Sequence, residues 1–150
     1  MRRRVGIVVA WILMGTGVLK AQSVFLFDED GMARIQLELS ARGQEITGLC
    51  LMRKTDGVLR GSVVNEFGIK AFDFTYQPSK GKTKLSSVVS FLNKWYIRRT
   101  LQRDLSFLFR QTASCSRGYR TLEIDDDVVS LFNKRYKLTY RFRKWDETTE

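Results

Sequence analysis

Residues 32–76, MARIQLELSARGQEITGLCLMRKTDGVLRGSVVNEFGIKAFDFTY, decide the fold. They read with a period of two, the spacing at which a strand turns alternate side chains to one face. Over Met32–Ala41, Ala33, Ile35, Leu37 and Leu39 share one face while Arg34, Gln36 and Glu38 share the other. A turn at Gly43 leads into a strand over 45–53, where Leu49 and Leu51 oppose Cys50 and Met52. Asp56-Gly57 marks a hairpin, because both residues tolerate the positive φ that a tight turn needs. Its return strand is Val58–Asn65. Asn65-Glu66-Phe67-Gly68 forms the next turn, and 69–76 continues the meander with Phe72, Phe74 and Tyr76 on a single face.

Outward from this stretch, 77–82 is a polar loop around the only proline, Pro78, and 85–89 predicts a short strand. The period then changes. Asn93 is placed to cap a helix ending near Phe109 or Arg110. Ile97, Leu101, Leu105 and Leu108 make its apolar stripe, with Arg98, Arg99, Gln102, Arg103 and Ser106 opposite. Residues 114–118 read as a loop, 119–124 as a strand, and Asp125-Asp126-Asp127 as a turn. The three aspartates lack the alternating ligands, glycine and distant glutamate of a calcium loop. Val128 to Phe132 then pairs with a last strand in which Tyr136, Leu138, Tyr140 and Phe142 alternate with Lys137, Thr139, Arg141 and Arg143. The expected class is mainly β with one helix (α+β): a single curved antiparallel sheet, an unclosed half-barrel, packed on one amphipathic helix.

The N-terminus supplies an address. Arg2, Arg3 and Arg4 precede an uncharged apolar run over 5–19, and small residues follow at Ala21 and Ser23. That is the order of a secretory signal peptide. The run is shorter than the roughly 20 residues of a bilayer span, so cleavage after Ala21 is favoured over retention as an anchor. Residues 22–150 are then one β-rich domain, exported to the periplasm or cell envelope, without a stable transmembrane span. No cysteine follows the apolar run to accept a lipid; the first is Cys50.

The net charge is +10, falling to about +6 without Arg2, Arg3, Arg4 and Lys20. Between Ser79 and Arg120 stand ten basic residues and one acid, Asp104. A second cluster, Lys134, Arg135, Lys137, Arg141, Arg143 and Lys144, precedes the acidic Asp146, Glu147 and Glu150. For an exported chain such a surface suits anionic headgroups or an acidic envelope partner, or is simply a solvated face; nucleic acid is not expected. With no histidine in the chain, Ser-His and Cys-His catalysis is excluded and zinc has too few ligands. No cofactor or metal site and no enzyme activity are expected. Cys50 and Cys115 either form a disulfide, which an oxidising compartment permits, or stay as two buried thiols.

Residues 57–109 resemble the periplasmic lipoprotein-localisation carriers and receptors, the LolB-like family. The resemblance rests on the strand ending in Asn65-Glu66-Phe67-Gly68, the apolar strand that follows, and a later helix carrying Leu101, Asp104 and Leu105. It implies an unclosed antiparallel barrel with helices lidding a hydrophobic cavity that binds acyl chains of lipoproteins or related lipids without catalysis. Phe67 is the candidate for an exposed apolar tip, or else a core plug. The expected function is an exported protein holding a lipid, acyl chain or lipopeptide in an apolar concave face. Phe72, Phe74, Tyr76, Tyr136, Tyr140 and Phe142 are its candidate lining, unless they only fill the core. Trp95, Arg98, Arg99 and Arg103 are the candidate contacts for headgroups or a partner. The alternative is an envelope structural module held to an acidic partner by its basic face.

Overall fold

The computed structural model describes residues 24, 25 and 27–145. The expected signal peptide and the acidic C-terminal residues lie outside them. The described residues form β1 (Met32–Ala41), β2 (Gln44–Thr55), β3 (Val58–Asn65), β4 (Lys70–Gln77) and β5 (Lys82–Ser86). Helix α1 (Trp95–Arg110) follows, then β6 (Cys115–Arg117), β7 (Arg120–Asp125), β8 (Val128–Asn133) and β9 (Leu138–Lys144).

All nine strands belong to one antiparallel sheet in the order β5-β4-β3-β2-β1-β9-β8-β7-β6. The chain makes two meanders, and β9 returns to pair with β1 (Leu37 opposite Phe142). The edge strands β5 and β6 do not pair, so the sheet is unclosed, and α1 is the connection that runs between them. The expected class is the observed one.

The alternation seen in the sequence becomes a single buried face. Ile35, Cys50, Val63 and Phe72 follow one another across β1 to β4, and on the other side of β1 Leu37 faces Phe142, which faces Val129. Leu101, Leu105 and Leu108 of α1 are buried against this concave face. Phe25, three residues beyond the expected cleavage-product terminus Gln22, is 5% exposed. It packs edge-on against Phe142 (5.3 Å between centroids) and Phe109 (6.2 Å), a geometry that suits aromatic quadrupoles.

Antiparallel pairing sends alternate turns to opposite ends. The β1–β2, β3–β4, β6–β7 and β8–β9 turns share one end with the start of α1. The β2–β3, β4–β5 and β7–β8 turns share the other, where Arg110 at the helix C-terminus packs on Gly81.

Several local expectations are corrected. Cys115–Arg117 is a short edge strand rather than a loop, and the expected strand at 85–89 lies earlier, at Lys82–Ser86. Helix α1 starts at Trp95 after an N-cap at Lys94 that makes no side-chain cap bond. The Asn93 side chain instead accepts from Arg98 Nη1 (2.9 Å). Ser106 is not on the solvent side: it is buried and its Oγ accepts from the Thr83 amide (2.9 Å), tying α1 to β5. The last strand begins at Leu138. Lys137 adopts φ +55°, which breaks the alternation and leaves Tyr136 on the β8–β9 turn.

Candidate functional site

The concave face encloses a cavity of about 110 Å³. Its floor and walls are apolar: Phe72 and Phe74 from β4, Tyr140 and Phe142 from β9, and Leu101, Leu105 and Phe109 from α1. Thr47, Asn65 and Lys70 are its polar lining residues, and all three come from the end that holds the start of the helix. Ile46, Ile69 and Phe91 line it at that same end and are 48%, 58% and 62% exposed. The cavity therefore opens where α1 begins, while Phe25, Phe109 and Phe142 pack together at the other end. The rim exists because the Asn65–Gly68 turn is locked locally. Asn65 Oδ1 accepts from the amides of Phe67 (3.0 Å) and Ile69 (2.9 Å), a side chain mimicking a turn. Phe67 at its tip is 79% exposed, so it is not a core plug.

Of the six aromatics expected to line a binding face, Phe72, Phe74, Tyr140 and Phe142 do line this cavity. Tyr76 is buried beside Phe109 (5.3 Å) and outside the lining. Tyr136 is 44% exposed on its turn and faces Arg135 (5.6 Å), so the structure removes it from the set. Trp95, at the start of α1, is 74% exposed. Arg99 and Arg103 are exposed on the outer side of the helix, but Arg98 is half-buried and bonded to Asn93 and the Leu85 carbonyl (3.3 Å).

The polar heart of the molecule is Asp104, on the buried face of α1 and fully removed from solvent. Its Oδ1 accepts from Arg120 Nε (2.8 Å) and Asn133 Nδ2 (3.0 Å). Its Oδ2 accepts from Asn133 Nδ2 (3.1 Å) and Tyr140 Oη (2.7 Å). One carboxylate thus joins the helix to β7, β8 and β9. A buried ion is tolerated only when paired and hydrogen-bonded, and here both oxygens are satisfied. Burial, the Asp104 charge and the bond to it push the Tyr140 hydroxyl well above its ordinary pKa. Tyr140 therefore stays a donor, with its ring in the cavity wall. Sequence reasoning did not assemble this cluster, although Asp104 sits at stripe spacing between Leu101 and Leu108.

Cys50, in the cavity wall, has its thiol pushed up to about 12 by burial alone. Of the two alternatives for the cysteines, free thiols are observed: Cys50 is buried and Cys115 partly buried. They lie on β2 and β6, with four strands between them. At about 4.8 Å per strand that separation along the sheet is several times the roughly 6 Å between the Cα atoms of a disulfide. Outside the concave face, Asp73 accepts from Ser62 Oγ (2.5 Å) and pairs with Lys70 (3.1 Å). Partial burial raises its pKa, but the bonds from Ser62 and Lys70 outweigh that and leave it below the ordinary value.

Among the described residues no helix is long and apolar enough to cross a membrane. No family model matches the sequence, and no curated protein matches it.

Proposed function

We propose that this chain is an exported, non-catalytic binding protein of the cell envelope that holds the end of an acyl chain in its apolar cavity. One observation carries the reading: an apolar-walled cavity opens between exposed Ile46, Ile69 and Phe91, with Thr47, Asn65 and Lys70 beside them at the mouth. Its volume, about 110 Å³, falls below the 300–1,000 Å³ typical of sites that engulf whole ligands. It is nearer the ~150 Å³ of an engineered core cavity that takes up benzene. The fit is therefore to a chain terminus, with the remaining methylenes lying across the exposed rim. The LolB-like resemblance of residues 57–109 points to the same chemistry, handling of lipids or of the acyl chains of lipoproteins. The internal carboxylate, Asp104, is taken up in holding the helix, its oxygens accepting from three donors.

The test is to purify the protein from its native host, extract it for lipid analysis, and titrate the stripped protein with a fluorescent fatty acid. Co-purifying lipid and saturable uptake are expected, and Leu105→Phe, which fills the cavity, should reduce uptake without unfolding the protein. A lipid-free preparation that takes up no fatty acid, from a folded protein, overturns the reading. The alternative, a module held to an acidic envelope partner, draws on the basic turns at the cavity end. Ionic strength separates the two, because exposed charge pairs weaken with salt while acyl burial does not.

A further inference from the structure

The two ends of the sheet differ in charge and in apolar exposure. At the end where the cavity opens, Arg42 lies on the β1–β2 turn, Arg117 ends β6, and Lys94 precedes the helix. Lys134, Arg135 and Lys137 occupy the adjacent β8–β9 turn, which the Lys134 amide ties to the Tyr119 carbonyl (2.9 Å). All six side chains are exposed, and the acids beside them are Glu45 and Glu66. The positive end of the α1 dipole points the same way. At the opposite end the turns carry Asp28, Glu29, Asp30 and Asp56, and the exposed Asp125, Asp126 and Asp127. The exposed cations Arg34, Arg53, Lys54, Arg60, Lys80, Lys82, Arg110 and Lys144 are interleaved with them. One end is thus strongly cationic and the other close to balanced, with acids and cations mixed.

The apolar exposure follows the same axis. Among the described residues, eight large hydrophobic side chains are exposed. Ile46, Phe67 and Ile69 stand on or beside the first two turns of the cationic end. Phe91, Trp95 and Tyr96 stand before or at the start of the helix, and Tyr136 on the β8–β9 turn. Only Trp145 lies at the opposite end, its amide bonded to the Arg34 carbonyl. Solvated surfaces rarely gather apolar tips in this way. Trp and Tyr beside Lys and Arg are the combination that sits at headgroup depth, apolar parts buried and charges on anionic lipid.

We propose that this end is a docking face for a bilayer carrying anionic lipids, with the cavity mouth turned toward the membrane. The inference stands whether or not the cavity takes an acyl chain, since it rests on turn charges and exposed tips rather than on the cavity's contents.

The test is co-sedimentation of the purified protein with vesicles of phosphatidylcholine alone or mixed with phosphatidylglycerol. Binding should require phosphatidylglycerol and fall as salt rises. The triple variant Lys134→Gln, Arg135→Gln, Lys137→Gln should lose about fivefold in affinity for each cation removed. Lys80→Gln with Lys144→Gln, at the opposite end, should change it little and serves as the folded control. Lipids brominated on their chains should quench the fluorescence of Trp145→Phe, which keeps Trp95, more than that of Trp95→Phe. Equal quenching of the two would place the contact elsewhere, including in the N-terminal apolar run, and overturn the proposal. So would binding insensitive to the triple variant. Loss of a soluble acidic polymer by that variant, with no vesicle binding by the parent, would assign the face to an acidic macromolecule instead.

Discussion

Replacing Asp104 tests how the helix is held over the cavity. The carboxylate is fully buried and receives four hydrogen bonds from Arg120, Asn133 and Tyr140. Asp104→Ala removes the acceptor and leaves three donors behind. Two of them, Asn133 and Tyr140, are 1% and 2% exposed and cannot turn to water. Arg120 keeps 17% of its side-chain surface and regains some hydration. Breaking a buried pair by deleting one partner costs about 3–5 kcal/mol, and the partial exposure of Arg120 sets the expectation at the lower end, about 3 kcal/mol. Total stabilities run at about 5–15 kcal/mol, so the variant should remain folded but melt roughly 10 °C lower. Urea unfolding followed by circular dichroism measures the loss.

The control replaces the cluster rather than one member. Asp104→Leu combined with Tyr140→Phe and Asn133→Leu removes the acceptor and both buried donors, leaving only the partly exposed Arg120. Buried ionic clusters exchanged for apolar groups of similar volume are often neutral in stability. The triple variant should therefore lose less than Asp104→Ala. If Asp104→Ala loses under 1 kcal/mol with an unchanged urea slope, the carboxylate does not hold the helix and the reasoning fails. The same outcome follows if the triple variant is the less stable of the two.

The Cys50 thiol, raised from 9.0 to about 12 by burial, should make stability fall as pH rises. Unfolded chains lose that proton near pH 9 while the fold retains it. Stability is thus full below pH 9 and declines by up to about 1.4 kcal/mol per unit toward pH 12. Cys50→Val should flatten that part of an alkaline unfolding curve measured by circular dichroism, and an unchanged slope would contradict the assignment. Lys94→Asp should add the missing N-cap acceptor and a favourable charge, stabilising the first turn by about 1 kcal/mol. Slower hydrogen exchange over residues 95–100 would register it, and exchange no slower than in the parent would show that the start of the helix is held by something other than its cap.

The sheet was legible because its two faces differ. Strands β1 to β4 and β7 to β9 are legible in their alternation, since burial on one side selects it directly, whereas β5 lies three residues earlier than its sequence suggests. Edge strand β6 is not legible, because Cys-Ser-Arg is too short and too polar to alternate, and it owes its pairing to Thr121 and Leu122 opposite it. Tyr136 continued the period-two pattern on paper, but the pattern does not register the positive φ at Lys137. The Asp104 cluster draws partners from 16, 29 and 36 residues away, and no local period carries that information. What the sequence did show was a lone acid within a run of basic residues, at stripe spacing between Leu101 and Leu108. An acid on an apolar face demands buried donors, and that demand could have been read before the donors were known.

The distribution of burial along α1 bears on how a chain would enter. Among Trp95 to Thr100 no side chain is buried, whereas Leu101, Asp104, Leu105, Ser106, Phe107 and Leu108 all are. The exposed half begins with no side-chain cap, has no acid in its first turn, and carries Arg98 and Arg99 close to the positive end of the helix dipole. The buried half is fixed by Asp104 to three strands and by Ser106 to β5. Local opening is cheapest where burial and capping are least, so the helix should fray at the cavity mouth long before it lifts at the Phe25 end. Leu101 is the first helical residue in the cavity wall, which puts it at the boundary between the two halves. Unwinding the turn before it would widen the mouth while leaving the Asp104 cluster and the floor intact. A cavity of about 110 Å³ can then admit a chain end without the sheet or the buried ion changing partners.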